Sequence, residues 1–544
     1  MANRSRRSRL RRQARLGAAV LCPVVLGAVL SGCAGRTDAI TSSPSAAASL
    51  APTPPKQPPP RLTRTQVMTA LGRLDGLVGN AMRQTGVPGV AVGVVYRDKV
   101  VYERGFGVRE LGKSDKVDPE TVFQLASLSK PLSSTVVAGT VGRKVVGWDD
   151  PVVDHDPGFA LKTPYVTENV TVADLFSHRS GLPDHAGDLL EDLGYQRDYI
   201  LQHLRLEPLA PFRASYAYTN YGFTAAGVAV ADAAKSNWPQ LAANTLFRPL
   251  GMDHSSYRRA DYDKAADKAS AHVEVDGRWK PSITENADSQ APAGGASSTV
   301  GDLTKWMRLQ LDNGAFGGKQ LVDPAALGQT RIPHIVAMAP LAPAGTPGFY
   351  GLGWDVGYDQ DGELRLSHSG GFELGAATEV TLLPVERLGI VVLTNGQPIG
   401  VPEAVAAAFF DIARNGRQTV DWLPFYAKVV KAAVYTGVSP TNYAKPPAHA
   451  TPAKADDVYT GTYANAYYGP VTVTSDKRGN LSMTLGPRKM SFPLRHYTGD
   501  TFSYQTQGEN AVGLSGVTFH PRSGNAMSVT IEHLDANGLG TFTR

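Results

Sequence analysis

Apolar positions recur at helical spacing from Val67 to Met82, then give way after Val87-Pro88-Gly89 to a nearly continuous apolar run, Val90 to Tyr96. The turn Arg97-Asp98-Lys99 and a second run from Val100 to Phe106 complete a β-hairpin pattern. From about Phe123 to Gln310 the chain reads mostly as helices and loops with many small residues. Strand signals return at Tyr350–Val356, Leu364–His368, Ala376–Leu383 and Leu388–Thr394. The two ends of this region supply strands and its middle supplies helices. The pattern therefore predicts an α+β domain over residues 62–420, with an antiparallel sheet closed by both ends of its chain.

Residues 421–456 read as a linker, carrying Pro440, Pro446, Pro447 and Pro452. Beyond it the period becomes two, as in Val471-Thr472-Val473-Thr474 and Leu481-Ser482-Met483-Thr484-Leu485, with turn signals every ten residues or so. A small all-β domain over 457–544 is expected.

Composition changes the picture only at the N-terminus. The 544-residue chain has a net charge of +5, but residues 1–32 hold seven arginines and no acid, so the rest is slightly negative. A near-neutral body lacks the concentrated basic face that nucleic acid requires. The uncharged run Leu16 to Leu30 is short for a membrane span and suits the apolar region of a secretory signal. It ends in Leu30-Ser31-Gly32-Cys33, which looks like a bacterial lipobox, so residues 1–33 are expected to direct export and Cys33 to be lipidated. Residues 34–61 are rich in Pro, Ser and Ala and form a tether with no apolar period. The expected location is extracytoplasmic, at the cell membrane through a lipid anchor. The chain's two cysteines, Cys22 and Cys33, both lie at this end, which excludes a disulfide-stapled body.

The body has no Gly-x-Ser-x-Gly, no His-Glu-x-x-His and no cysteine. It has one Ser-x-x-Lys, at Ser127-Leu128-Ser129-Lys130, preceded by small and apolar residues and followed by a helical pattern. On a helix, residues three apart share a face, which brings Lys130 beside Ser127. Free N–H groups at a helix N-terminus stabilise negative charge developing at the serine. A partly desolvated lysine loses its proton near neutral pH and can act as a base. Tyr218 and Asn220, two apart, would point the same way in an extended stretch. His368-Ser369-Gly370-Gly371 ends a strand with an imidazole and two glycines that let a substrate approach the backbone. Asp154-His155-Asp156 and Asp184-His185 have no third partner at metal-ligand spacing and read as solvated loops. His178 reads as a packing or hydrogen-bonding residue in a structural turn.

Taken in order, Ser127-x-x-Lys130, Tyr218-x-Asn220 and His368-Ser369-Gly370 resemble the motifs of the serine β-lactamase-like superfamily, which includes class C β-lactamases, DD-peptidases, D-aminopeptidases and related esterases. Leu175–Leu182, Pro249–Met252 and Ala293–Thr299 also look like landmarks of that group, and the tail looks like its appended lipocalin-like β domain. The resemblance implies a β-lactamase/transpeptidase-like fold with a helical subdomain. It implies Ser127 as the acylated nucleophile, Lys130 and Tyr218 sharing its proton, and Asn220 orienting Lys130 and the substrate amide. The Lys130 cation would favour the ionised form of the Tyr218 phenol. Backbone N–H groups of Ser127 and Gly371 would form the oxyanion hole, with Ser369 and Gly370 beside the substrate. No metal or organic cofactor is implied.

Histidine at 368 stands where penicillin-recognising members carry lysine. A neutral, shorter side chain binds a carboxylate more weakly, though it can still hydrogen-bond Tyr218 or the substrate. Esterase or peptidase action is therefore favoured over strong β-lactamase action, on a small ester, peptide or cell-wall fragment. A penicillin-binding sensor or DD-peptidase with slow deacylation, and a non-catalytic cell-wall-binding module, are the competing readings.

Overall fold

The computed structural model describes residues 58–340, 345–359, 361–434, 437–522 and 524–544. The export signal, Cys33 and all but the last residues of the 34–61 tether lie outside the described residues. Among the described residues, no helix is long and apolar enough to cross a membrane.

Eight strands build the central sheet: β1 (Gly89–Tyr96), β2 (Lys99–Gly107), β3 (Ile335–Met338), β4 (Gly348–Tyr350), β5 (Asp355–Tyr358), β6 (Leu364–Phe372), β7 (Ala376–Leu383) and β8 (Leu388–Thr394). Their order is β2-β1-β8-β7-β6-β5-β4-β3, each antiparallel to its neighbours. The Val92↔Val392 register joins the first strand to the last, so the two ends of the domain do close one sheet. Arg97 and Asp98, both at positive φ, make the tight turn between β1 and β2.

Every residue of β1, β7 and β8 is buried, because helices cover both faces there. Val90, Val92, Val94, Ile390 and Val392 face helices α1 (Leu74–Thr85) and α5 (Val401–Asn415). Ala91, Val95, Val391 and Leu393 face the main core, which includes helices α2 (Ser129–Gly142), α3 (Asn220–Ala233) and α4 (Val300–Leu311).

Three expected elements differ. The single helix from Val67 to Met82 is two, Arg64–Leu71 and α1, separated at Gly72-Arg73. The single strand Tyr350–Val356 is two, because Gly353, at φ +78, turns the chain between β4 and β5. A Cβ at Gly353 would lie 2.9 Å from the Lys130 carbonyl oxygen, so this turn rests on the helix that carries Lys130. The linker 421–456 begins with a helix, α6 (Trp422–Val434), which packs on α5.

The C-terminal region is all β, with a four-stranded antiparallel sheet (residues 461–493) and a five-stranded one (residues 495–543). Tyr459, Tyr463, Phe502 and Phe519 fill its interior. It is not a free module: among the described residues it forms one compact unit with the domain before it. The Tyr195 hydroxyl donates to the Tyr468 carbonyl at 2.7 Å, and Tyr199 to that of Tyr467 at 3.1 Å.

Candidate functional site

The turn that carries Ser127 is built by packing constraints on both sides. Phe123 and Gln124 pair with Ser298 and Ser297, and Leu125 donates to the Ala296 carbonyl, which fixes where the following 3₁₀ turn, Ala126–Leu128, begins. Ala126 holds φ +47, a left-handed conformation that an alanine adopts at a cost of about 1–3 kcal/mol. Strand β6 lies flat on this turn. A Cβ at Gly370 would come within 2.3 Å of the Leu125 carbonyl oxygen and 2.8 Å of the Leu128 nitrogen, so only glycine fits. Helix α2 starts at Ser129, with Ser127 in the turn just before it and partly open to solvent.

Lys130, on the first turn of α2, is fully buried. Its Nζ lies 3.1 Å from Ser127 Oγ, 2.7 Å from Asn220 Oδ1 and 3.1 Å from the Ala293 carbonyl oxygen. Burial brings its pKa down to about 7, against an upward pull from the Asp188 carboxylate. Near pH 7 a large fraction is neutral, and that form can accept the Ser127 proton directly.

Tyr218 donates to Ser127 Oγ at 2.8 Å. Burial raises its pKa, with nearby carboxylates adding to the rise, so the phenol keeps its proton. Burial thus moves the two groups in opposite directions, towards a neutral amine on Lys130 and a protonated phenol on Tyr218. His178 props Tyr218 from behind, with ring centroids 4.5 Å apart, and its Nδ1 accepts the Thr219 N–H at 3.1 Å.

Asn220 opens α3 directly after the extended Thr219. Its Oδ1 holds Lys130, while its Nδ2 donates to Asp188 Oδ2 at 2.9 Å. The same Asp188 oxygen lies 2.8 Å from His185 Nδ1. Asp188 holds the exposed His185 up at about 9, so a polar chain runs from an imidazolium at the surface through Asp188 and Asn220 to Lys130. Asp188 and His185 are the functional candidates that sequence reasoning missed. Asp184-His185 was visible only as a solvated loop, whereas the i, i+3 spacing of His185 and Asp188 was the usable signal. The His185 N–H donates to the Tyr218 carbonyl at 2.8 Å, which ties the loop to the site.

His368 is buried, and its two ring nitrogens bond Ser369 and Tyr350 rather than Tyr218. Its Nδ1 lies 2.6 Å from the Ser369 carbonyl oxygen and so carries the proton, leaving Nε2 to accept from the Tyr350 hydroxyl at 2.8 Å. Burial, reinforced by Lys130, lowers its pKa to about 3, so the ring is neutral. Ser369 is on the opposite face of the sheet from His368, with its hydroxyl donating to Glu379 at 2.8 Å. Gly370 is buried against the turn that carries Ser127, and Gly371 is exposed. Strand β5 pairs with β6 only over Leu364–Ser367. Beyond that point the edge of His368–Phe372 on the β5 side has no strand partner among the described residues, which leaves backbone open to an extended ligand. Among the described residues, no group of three or more His, Cys, Asp or Glu is placed to hold a metal ion.

Comparison with known proteins adds a family and relatives. The family model described as Beta-lactamase matches residues 74–412, and a second, described as a domain of unknown function (DUF3471), matches residues 445–540. The chain is 27% identical over 423 residues to the "Unguisins hydrolase ungD'" of Aspergillus campestris, covering 73% of this chain and 76% of that protein. It is 27% identical over 335 residues to "Penicillin-binding protein 4" of Amycolatopsis lactamdurans, covering 60% of this chain and 83% of that one. Among solved structures, the octameric penicillin-binding protein homologue from Pyrococcus abyssi aligns with a TM-score of 0.56 at 20% identity, over 85% of this chain and 98% of that one. A class C β-lactamase from Rhodobacter sphaeroides aligns with a TM-score of 0.52 at 18% identity, over 62% and 98% respectively. At these identities the solved structures speak for the fold.

Proposed function

The chain belongs to the Beta-lactamase family of serine hydrolases, and we propose that it cleaves an ester or amide bond through an acyl-enzyme on Ser127, outside the cytoplasm and tethered to the membrane. The observation that carries the reading is a serine 3.1 Å from a buried lysine held near pKa 7 and 2.8 Å from a protonated phenol. As Ser127 Oγ attacks the carbonyl carbon, its proton passes to the neutral Lys130 amine. The carbonyl oxygen becomes an oxyanion, held by the N–H groups of Ser127 and Gly371. Collapse breaks the bond to the leaving group, which takes the Tyr218 proton, and Lys130 restores it. Water then attacks the acyl carbon, losing its proton to the same pair, and Ser127 is released.

Substrate class follows from charge. His368 is neutral, and the carboxylates Asp355, Asp188 and Asp184 act on Tyr218. A substrate without a carboxylate at the reacting end is favoured, which makes a neutral ester or peptide a better fit than a β-lactam. Location rests on the apolar run Leu16–Leu30 and the Leu30–Cys33 tetrapeptide.

A panel of short acyl esters, D-amino-acid peptides and a labelled penicillin tests this. Turnover of an ester or peptide that is lost in Ser127→Ala supports the reading. A stable penicillin adduct without turnover supports the slow-deacylating sensor instead. No reaction with any of the three would leave only a binding module.

A further inference from the structure

The hairpin loop between Thr501–Gln505 and Leu514–Arg522 of the β domain reaches back to the hydrolase domain. Its neck is closed by the Thr506 N–H and hydroxyl, both donating to the Gly513 carbonyl, so its tip is held by the loop's own backbone. At that tip Glu509 accepts two backbone N–H groups across the domain boundary, from Glu373 at 2.6 Å and Leu374 at 3.2 Å. Those residues form the turn directly after Gly371-Phe372, at the end of β6. In the other direction, the Glu509 and Asn510 N–H groups both donate to Asp192, each at 3.0 Å. Gly508, at φ +110, lets the loop press on that carboxylate, where a Cβ would lie 2.6 Å away.

Asp192 ends the short helix Asp188–Asp192, whose first residue holds Asn220 and through it Lys130. One loop of the β domain therefore ties together the wall that positions the base and the wall that ends in the Gly371 strand. An isolated β6–β7 turn would present its Glu373 and Leu374 N–H groups to water. Here both are spent on the carboxyl oxygens of Glu509 from the other domain, which fixes the turn in place.

Resting on the acyl-enzyme reading above, we infer that Glu509 is a positioning residue of the active site: it holds the end of β6, and with it the Gly371 N–H, in register with Ser127. The β domain is then a working part of the hydrolase, and the loop acts on the chemical step more than on substrate capture. Displacement of about 1 Å at reacting groups costs up to about a hundredfold in rate.

The test uses the full chain, with active sites counted by fluorophosphonate labelling and kcat and KM measured on the best ester of the panel. In Glu509→Ala, kcat per titrated site is expected to fall about tenfold or more with KM changed less than about threefold. Glu509→Gln, whose single carbonyl still accepts one N–H, is expected to recover part of the loss. The midpoint of the pH profile, set by Lys130, is expected to stay put in both. A lower Tm and smaller labelled fraction with unchanged kcat per titrated site would overturn the inference, since that is what a purely structural contact produces. If Glu509→Ala does not fold, Glu509→Gln and Asp192→Asn carry the same comparison. Wild-type protein that turns over no ester or amide would sink the acyl-enzyme reading itself, whereas an active wild type with an unaltered Glu509 series sinks only this inference.

Discussion

Asp188→Asn removes the carboxylate from the polar chain behind Ser127, and with it the partner that holds His185 as an imidazolium, and leaves the shape of the chain. Asp188 reaches Lys130 through Asn220, by hydrogen bonds of 2.9 and 2.7 Å on either side of one amide. That geometry puts carboxylate and ammonium about 7 Å apart, where two unit charges interact by about 2 kcal/mol at an effective dielectric constant of about 20. The figure corresponds to about 1.5 pH units on the lysine. Asp188 has 5% of its side chain exposed, whereas His185 has 53%, so the carboxylate dominates and the imidazolium is largely screened. The assay is the rate of Ser127 labelling by a fluorophosphonate between pH 4.5 and 9. In the wild type the rate is expected to rise through about 7 as Lys130 loses its proton. In Asp188→Asn the midpoint is expected to fall by up to about 1.5 pH units, the release of the His185 proton offsetting part of the shift. A midpoint that stays within about 0.3 units of wild type, or moves upward, would refute the role given to Asp188 and the assignment of Lys130 as base.

Tyr218→Phe removes the proton donor 2.8 Å from Ser127 Oγ and is expected to lower kcat by about 10²–10⁴-fold, with Tm nearly unchanged. Gly370→Ala forces a methyl group against the backbone of Leu125 and Leu128 and is expected to cost about 1–3 kcal/mol of stability and to slow labelling sharply, read by thermal melts and probe kinetics. Lys130→Met bears on linkage. Burial lowers Lys130 from 10.5 to about 7, so between those values the unfolded chain binds a proton that the native chain lacks, and native stability gains as pH rises. Denaturant titrations at pH 7 and pH 10 are expected to show that gain in the wild type, at up to about 1.4 kcal/mol per pH unit, and to lose it in the inactive Lys130→Met.

The sheet was legible because its strands are long, apolar and bounded by turn residues, as with Val90–Tyr96 and Leu388–Thr394. The split of Tyr350–Val356 was hidden because the residue that breaks it, Gly353, turns to clear the Lys130 helix, a contact from more than 200 residues away. Helix α6 was legible in principle: Trp422, Leu423, Tyr426 and Val430 recur at helical spacing with Pro424 in the first turn, but the later prolines drew the whole segment into a linker. At the site, spacing alone brought Ser127 to Lys130, whereas Asn220 is not in an extended stretch with Tyr218 but opens helix α3, and the two reach Lys130 and Ser127 separately. Which group carries the proton was not legible. That depends on burial, which lowers Lys130 and raises Tyr218 together, and no local pattern reports burial of a polar side chain. The same holds for His368, whose partner Tyr350 comes from a different strand of the sheet.

The central claim is a covalent acyl group on Ser127, and trapping it is the most direct measurement. Full-length protein is mixed with an activated ester, quenched in acid within the first turnovers, and mapped by mass spectrometry. The expected result is one acyl adduct per chain, on the peptide that contains Ser127 and Lys130, released by hydroxylamine and absent in Ser127→Ala. Turnover with no adduct on that peptide, or an adduct that persists at another residue in Ser127→Ala, would contradict the account.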